Sequence, residues 1–436
     1  MTNSKTLFLL AGAALSMGAS AALADNTSVS RDEVRAIVSE MMQDAETRSS
    51  LLQGGVTGGH DGKFFLASSN GDFRLNVGGF TQFRYFANFR DDNSTDNEFE
   101  PGFQMARVRL EFSGHVVNPN LKFFISSEFS DSDNDSNSTG NFELKDAYVD
   151  YSFGQGWGVW AGQGKLPFLK EELISDTKQM AVERGFVNGA FTLGRSQGVG
   201  ISYVGEAWSM HTMFSDGPNA LNTDFGNGMQ NGTNTAESDY SLGARFEFKF
   251  AGKDLSEFKE FTSKPDSDFA ALLGIAANHS ASADTAAIDD TDTQYSTLTA
   301  DFTLKTAGLS FYVAGVVGLT DQRAAGADTD FTDYGIVAQI AYRFGQWEPF
   351  ARYDGLFYDS DRALTEDTQN FITIGVNDYL AGQAAKLTLD AVFVGDDVTL
   401  TGVAPGAGSG FSQSQGLLPS ADDGQIAIRA QFQLMF

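Results

Sequence analysis

The chain of 436 residues is strongly acidic, with 57 Asp and Glu against 29 Lys and Arg and a formal net charge of −28 at pH 7. This charge argues against nucleic acid as a partner, because binding to a phosphate backbone needs a basic surface. The sequence has no cysteine, which excludes disulfides and thiolate sites, and its four histidines stand singly, so we expect neither a cofactor nor a metal.

The first 24 residues have the pattern of a secretory signal peptide. Lys5 precedes an apolar run from Leu7 to Leu15, and small residues ending in Ala22-Leu23-Ala24 precede Asp25. The apolar run is too short for a membrane-spanning helix, and no later segment offers about 18 uninterrupted apolar residues. If the exported chain crosses a membrane, it therefore does so as a closed β-barrel.

Residues 25–62 are predicted to form a periplasmic helix followed by a Gly-rich linker. Ser30 and Glu33 make a capping-box pattern, and apolar residues at spacings of three and four continue to Leu52, before the linker Gln53–Gly62. The helix fits a short coiled coil that oligomerises or tethers the protein. It fits an isolated amphipathic arm equally well, because three heptads are marginal.

Residues 63–436 are predicted to form an all-β transmembrane barrel of 16 antiparallel up-and-down strands. A small hairpin, Lys63–Leu75, leads into segments in which apolar and polar residues alternate. These segments begin near Asp72, Phe103, Leu121, Phe142, Trp157, Gly198, Trp208, Ser238, Phe269, Gln294, Leu309, Tyr334, Trp347, Phe371, Ala385 and Gln425.

Short connections alternate with long, mostly acidic ones along this series, as in a porin. One connection, Ala251–Asp268, breaks the rule: it should be short, and its length predicts a periplasmic helix. An even number of strands also returns an up-and-down barrel to the side on which it started.

Each strand has one apolar and one polar face. Charged faces repeated from strand to strand do not fit a dry core, because unpaired buried charges cost several kcal/mol each. We therefore predict that the apolar faces contact lipid and that the polar faces line a water-filled lumen. The predicted interfacial aromatic girdles include Tyr151, Trp157, Trp160, Trp347 and Tyr379.

The last strand, Gln425–Phe436, resembles the insertion signal of bacterial outer-membrane barrels. Phe432, Leu434 and Phe436 occupy alternate positions on its apolar face. The pattern predicts recognition by the barrel-assembly machinery and a location in the outer membrane, in contact with its lipid and lipopolysaccharide.

Several motifs resemble the phosphate-selective porin O/P family. They are Met105–Gly114, Glu143–Tyr151, Gly162–Phe168, Glu171–Leu173, Glu183-Arg184, Gly194-Arg195 leading into Gly198-Val199, and Gly375–Leu380. The resemblance covers most of the chain from about Asp72 to Phe436 and leaves out the helix before it. It implies a sixteen-stranded outer-membrane porin, usually a homotrimer, whose third loop, here Pro167–Ser196, folds into the pore.

The length and position of Pro167–Ser196 predict a constriction without the resemblance as well, because a long loop inside a barrel narrows its lumen. Charged residues on the loop and the facing wall are the candidates that line it. They are Arg84, Arg107, Arg109, Lys165, Lys170, Glu171, Glu172, Asp176, Lys178, Arg184 and Arg195. For Glu183 and Arg184 we favour salt bridges that pin the loop in place.

The predicted function is passive diffusion of small hydrophilic solutes or ions, with phosphate and other anions among the candidates. Both signs of charge occur on the polar faces and the external loops are acidic, so the preferred ion does not follow from the sequence. The alternative is a structural envelope tether with a largely closed barrel. An enzyme is not expected, because the isolated histidines, His211 included, offer no catalytic constellation.

Overall fold

The computed structural model describes residues 39, 55–90, 98–130, 142–222, 238–282, 293–324, 327–395, 398, 402–405, 407, 414–418 and 424–436. The chain divides into two compact units, Met1–Thr57 and Gly58–Phe436, and the second contains the barrel. The predicted signal peptide and, apart from Ser39, the predicted N-terminal helix lie outside the described residues.

Sixteen of the eighteen strands in the described part of the chain form the barrel. Two short strands, β1 (Val56–His60) and β2 (Phe64–Ser68), come first. The barrel strands are β3 (Arg74–Arg90), β4 (Phe99–His115), β5 (Leu121–Glu128), β6 (Glu143–Gly154), β7 (Trp157–Lys165), β8 (Arg195–Val204), β9 (Trp208–Ser215), β10 (Tyr240–Ala251), β11 (Ala270–Ser282), β12 (Thr293–Thr306), β13 (Leu309–Ala324), β14 (Ala327–Tyr342), β15 (Trp347–Phe357), β16 (Thr368–Gln383), β17 (Ala385–Val394) and β18 (Gln425–Met435).

Each barrel strand pairs antiparallel with the next, and β18 pairs with β3, which closes the barrel. In the closing register Phe432 lies opposite Phe83 and Leu434 opposite Thr81. The backbone of Phe436 exchanges two hydrogen bonds of 3.0 Å with Gly79. The predicted closed barrel of 16 antiparallel strands is confirmed.

The two faces of the strands separate as predicted. In β10, Leu242 is 58% exposed on the outer surface, whereas its neighbours Ser241 and Arg245 point inward and are buried. Phe432, Leu434 and Phe436 likewise lie exposed on the outside. Apolar residues therefore cover the surface that a bilayer would contact, which reverses the arrangement of a soluble protein.

The aromatic girdle prediction holds for only some of its residues. Tyr151 and Trp347 are exposed on the outer surface. Trp160 packs against the apolar cluster inside the barrel, and the Tyr379 hydroxyl bonds to Glu348 within it, so these two assignments are wrong. Successive side chains of a strand point to opposite faces, so Trp160 and Tyr379 point into the barrel while their neighbours Val159 and Leu380 are exposed on the outside.

Connections are short at one end of the barrel, which we call the short-turn end; they include residues 116–120, 205–207 and 343–346. The long connection between β10 and β11 lies at the same end. It contains a single 3-10 turn, Leu255–Phe258, in place of the predicted helix.

The remaining helical elements are short. Between β7 and β8 lie α1 (Lys170–Leu173), the 3-10 turn Asp176–Lys178 and α2 (Phe186–Phe191). Another 3-10 turn, Ser360–Arg362, follows β15. Among the residues that the structure describes, none of these helices has the length and apolar character needed to cross a membrane.

The main apolar core lies inside the barrel. The connection between β7 and β8 contributes Phe168, Phe186 and Phe191, all buried, and the inner faces of β11–β18 contribute the other side of the cluster. Phe186 stacks on Phe371 of β16 with ring centroids 3.8 Å apart. Burial of these rings stabilises the seating of the connection against one half of the wall.

Candidate functional site

The connection between β7 and β8, residues 166–194, lies within the barrel and is called the inner loop below. Its backbone carbonyls accept hydrogen bonds from wall side chains on five different strands. The pairs are Gln82 to Asp176, Arg84 to Val182, Arg352 to Glu183, Asn377 to Met180, Lys386 to Gln179 and Gln433 to Thr177. Donors on β3, β15, β16, β17 and β18 can reach one segment only if it lies in the lumen.

Hydrogen bonds within the inner loop fix its shape. The Arg184 guanidinium donates to the carbonyls of Glu171 at 3.2 Å and Ile174 at 3.0 Å. The Glu171 carboxylate accepts the backbone N–H of Gly185 at 2.8 Å. Residues 171–174 and 184–185 of the loop are thereby tied together, so the charged side chains between them have defined positions.

Asp176 is the centre of the charge network that joins the inner loop to the wall. Its carboxylate contacts Arg109 at 2.7 Å and Arg184 at 2.5 Å, and Arg107 at 3.5 Å. Burial alone would raise the pKa of Asp176, but Arg184, Arg107 and Arg109 hold it well below its usual range. The group is therefore a fixed negative charge among three guanidinium groups.

Glu183 extends this network to β3. It accepts hydrogen bonds from Arg107 at 2.8 Å and forms an ion pair with Arg84 at 2.8 Å. Arg109 also pairs with Glu128 on β5 at 3.0 Å. The pinning role expected for Glu183 agrees with these contacts, which bind the loop to the wall rather than line an opening.

A second group of charges lies where the loop leaves and rejoins the barrel. Glu172 is 3.4 Å from both Lys165 and Arg184, and Arg195 pairs with Asp146 at 3.0 Å. Burial would raise the pKa of Glu172, yet the nearby Arg184, Lys165 and Arg195 lower it to about 2. This carboxylate also stays ionised at neutral pH.

The remaining predicted lining residues occupy different surroundings. Lys170 pairs with Glu247 on β10 at 2.9 Å. Glu171 lies 3.5 Å from Arg352 on the opposite wall, and burial raises its pKa to about 7, with Arg352 opposing the shift and Asp354 reinforcing it. Lys178 is half-buried in the 3-10 turn. Glu171 thus lies behind the loop and does not line the opening.

Solvent reaches the network on one side only. The side chains of Arg107, Lys165 and Arg195 are 17%, 16% and 13% exposed, and Glu172 and Arg184 are each 11% exposed. By contrast, Arg84, Arg352 and Arg429 on the other half of the wall are at most 3% exposed. The paired strands β7 and β8 on this side carry several small residues, which include Gly158, Gly164, Ser196, Gly200 and Ser202. The part-exposed cations of the network therefore lie on β4, β7 and β8.

A second segment that contacts the inner loop comes from the connection between β17 and β18, and it was not predicted from the sequence. Gln415 donates to the carbonyl of Arg184 at 2.5 Å and accepts from Arg429 at 2.8 Å, and the Val403 N–H donates to Ala190 at 2.8 Å. Its length of about thirty residues, Gly395–Gly424, was the only available sign. The described residues Val403 and Gln415 thus contact the inner loop at Ala190 and Arg184.

The model of the family described as phosphate-selective porin O and P matches residues 76–407, most of the chain and nearly all of the barrel. The chain belongs to this porin family. It is therefore an outer-membrane porin whose barrel forms a channel for passive diffusion. No curated protein sequence matches it.

Solved structures of other porins share the fold at low sequence identity. The anion-selective porin of Comamonas acidovorans is 14% identical, with a TM-score of 0.54, and the match covers 83% of this chain and 99% of that one. The DcaP outer-membrane channel of Acinetobacter baumannii is 13% identical, with a TM-score of 0.53 and coverage of 84% and 99%. OmpT of Vibrio cholerae is 11% identical, with a TM-score of 0.51 and coverage of 84% and 98%.

Proposed function

We propose that this porin passes small hydrophilic solutes by diffusion and prefers anions at its constriction. The observation that carries the proposal is the unequal exposure of the paired charges. Arg107 is 17% exposed, whereas its partners Asp176 and Glu183 are 4% and 7% exposed. Lys165 and Arg195 are 16% and 13% exposed, and their partners Glu172 and Asp146 are each 11% exposed. A solute in the opening therefore meets the cationic edges of the network first.

Pairing also explains how an anion could leave again. Lys165 lies near Glu172, and Arg195 is paired with Asp146. Each cation is thus partly neutralised, so that a passing anion gains a charge-assisted contact without displacing the carboxylate. Conduction requires attraction that is weak enough for release, and partly neutralised cations in sequence satisfy this requirement.

The comparisons support this choice of ion. The matching family is described as phosphate-selective, and the Comamonas acidovorans porin is described as anion-selective. We propose phosphate and other small anions as solutes, without an enzymatic reaction. The residues that carry selectivity in this proposal are Arg107, Lys165 and Arg195, and Arg109 and Arg184 hold the loop and its carboxylates in place.

Assembly is proposed on the family likeness. We propose a homotrimer in contact with outer-membrane lipid and lipopolysaccharide, inserted by the barrel-assembly machinery through the strand that carries Phe432, Leu434 and Phe436. We further propose residues 1–24 as a signal peptide and residues 25–62 as a periplasmic helix and linker before the barrel, with β1 formed by the last part of that linker.

Entry of labelled solutes into liposomes that contain the purified porin tests the proposal. Gluconate, glucosamine and glucose have similar sizes and differ in charge. We expect gluconate to enter fastest and glucosamine slowest. Faster entry of glucosamine would refute the anion preference, and no entry of any of the three would favour the alternative of a largely closed barrel that acts as an envelope tether.

A further inference from the structure

The connection between β10 and β11, residues 252–269, is called the strap below. Lys305, on the inner face of β12 and 4% exposed, holds it from the lumen side. The Lys305 ammonium donates to the carbonyl of Glu257 at 2.7 Å, to that of Thr262 at 3.0 Å and to that of Glu260. Three carbonyls of one segment satisfy all three donors of the ammonium group.

The strap reaches beyond its own strands to the far wall. The Thr262 hydroxyl lies 2.7 Å from the hydroxyl of Tyr379 and 3.3 Å from the Glu348 carboxylate. The Gln383 amide donates to Glu260 at 3.2 Å. The segment begins at β10 and contacts β15 and β16, so it crosses the short-turn end of the barrel, which is the periplasmic end in porins.

Apolar packing joins the strap to the core beneath the inner loop. Phe261 is buried, and its ring lies 4.9 Å from that of Tyr312, in the same cluster as the inner-loop residues Phe168 and Phe186. Phe258 is buried against Ala270 and Leu272 at the start of β11. The strap therefore packs inside the mouth of the barrel and does not only cross its rim.

We propose that the strap is a second narrowing element of the channel, which closes the periplasmic mouth over the β11–β16 side. Solutes that pass the inner loop then leave only along the β4–β10 side, which is also where the constriction is exposed to solvent. This inference rests on the proposed channel function. In it, Lys305 and Phe261 are positioning residues, since they act by holding the strap.

The first test compares single-channel conductance in planar bilayers. Replacing residues 253–266 with a short turn should raise conductance roughly twofold, because conductance grows with the open cross-section. Lys305→Met should raise it less and add current noise. Lys264→Met is the matched control, since Lys264 is exposed on the same strap and should leave the conductance unchanged. Unchanged conductance in a folded short-turn variant would overturn the proposal.

A second measurement covers the case in which the short-turn variant does not fold. The chain has no cysteine, so a single introduced thiol reports one position. Ser263→Cys, at a site that is 1% exposed, should react with a maleimide far more slowly than Asp266→Cys on the exposed side of the strap. Adding Lys305→Met should remove that protection. Equal rates in the otherwise unchanged porin would show that the strap is not seated.

Different results would contradict the channel function and the role of the strap. If the unmodified porin does not conduct, the channel function proposed above fails. In that case, conductance in the short-turn variant would still show that the strap closes the mouth. An absence of conductance in that variant would contradict the role of the strap as well.

Discussion

Asp176→Asn is the substitution that perturbs the constriction most directly. The change is nearly isosteric, and it removes one negative charge that contacts Arg109 at 2.7 Å, Arg184 at 2.5 Å and Arg107 at 3.5 Å. Three guanidinium groups then lose a shared counter-charge. Because Arg107 is part-exposed to the opening, the electrostatic potential there becomes more positive.

The size of the effect follows from Coulomb's law. A unit charge about 8 Å from a permeating ion changes its energy by about 0.5 kcal/mol in bulk water and about 2 kcal/mol at an effective dielectric constant of about 20. These energies correspond to roughly 2-fold to 30-fold changes in relative permeability. We expect a shift of about 5-fold toward anions, within that range.

The assay is the zero-current potential under a salt gradient in a planar bilayer. Asp61→Asn is the control, because Asp61 is 80% exposed and close to Arg74, outside the inner loop's contacts. It removes the same charge without touching the constriction. A shift toward cations, or a shift no larger than that of Asp61→Asn, would refute the assignment of Asp176 to the selectivity network.

Three further predictions concern the seating of the inner loop. Arg107→Gln should weaken the anion preference several-fold, which the zero-current potential measures. It should also destabilise the inner loop, because the buried Glu183 loses a partner at 2.8 Å, and protease sensitivity measures this effect. Phe186→Ala should lower the free energy that holds the inner loop against the wall by about 3 to 5 kcal/mol, since the ring stacked on Phe371 is lost. The rate at which a protease cleaves the loop measures this change. Between pH 4.5 and about 7, Glu171 takes up a proton on folding, so its contribution to the free energy of unfolding falls as pH rises through that window. Glu171→Gln should therefore raise the melting temperature at pH 8 and leave it nearly unchanged near pH 4.5.

The strands could be predicted from sequence because their pattern is local. Alternation along β10, for example, depends only on consecutive residues, and β15 (Trp347–Phe357) and β17 (Ala385–Val394) have the predicted boundaries. The inner loop could be predicted from its length. Neither prediction depends on which strands are paired.

The partners within the site could not be predicted, because they depend on register across the barrel. Arg107 was a candidate wall residue, but its partners Glu183 and Asp176 lie about seventy residues away along the chain. Some wall charges pair across neighbouring strands, such as Arg429 with Asp390 at 2.6 Å. Others pair with the inner loop: Arg84 with Glu183, and Arg352, which also pairs with Asp354 on its own strand, with Glu171.

The contacts of the strap could not be predicted from the sequence either. Its unusual length was visible in the sequence, but that length predicted a periplasmic helix. The carbonyls gathered by Lys305 and the ring contact between Phe261 and Tyr312 come from residues that share no local pattern. Contacts of this kind arise only once the barrel has closed.

The zero-current potential of the unmodified porin, recorded with single-channel conductance under a salt gradient, tests the central claim most directly. The exposed edges of Arg107, Lys165 and Arg195 predict discrete conductance steps and a reversal potential on the anion-selective side. A cation-selective potential would contradict the assigned role of these side chains, and an absence of conductance would contradict the open channel itself.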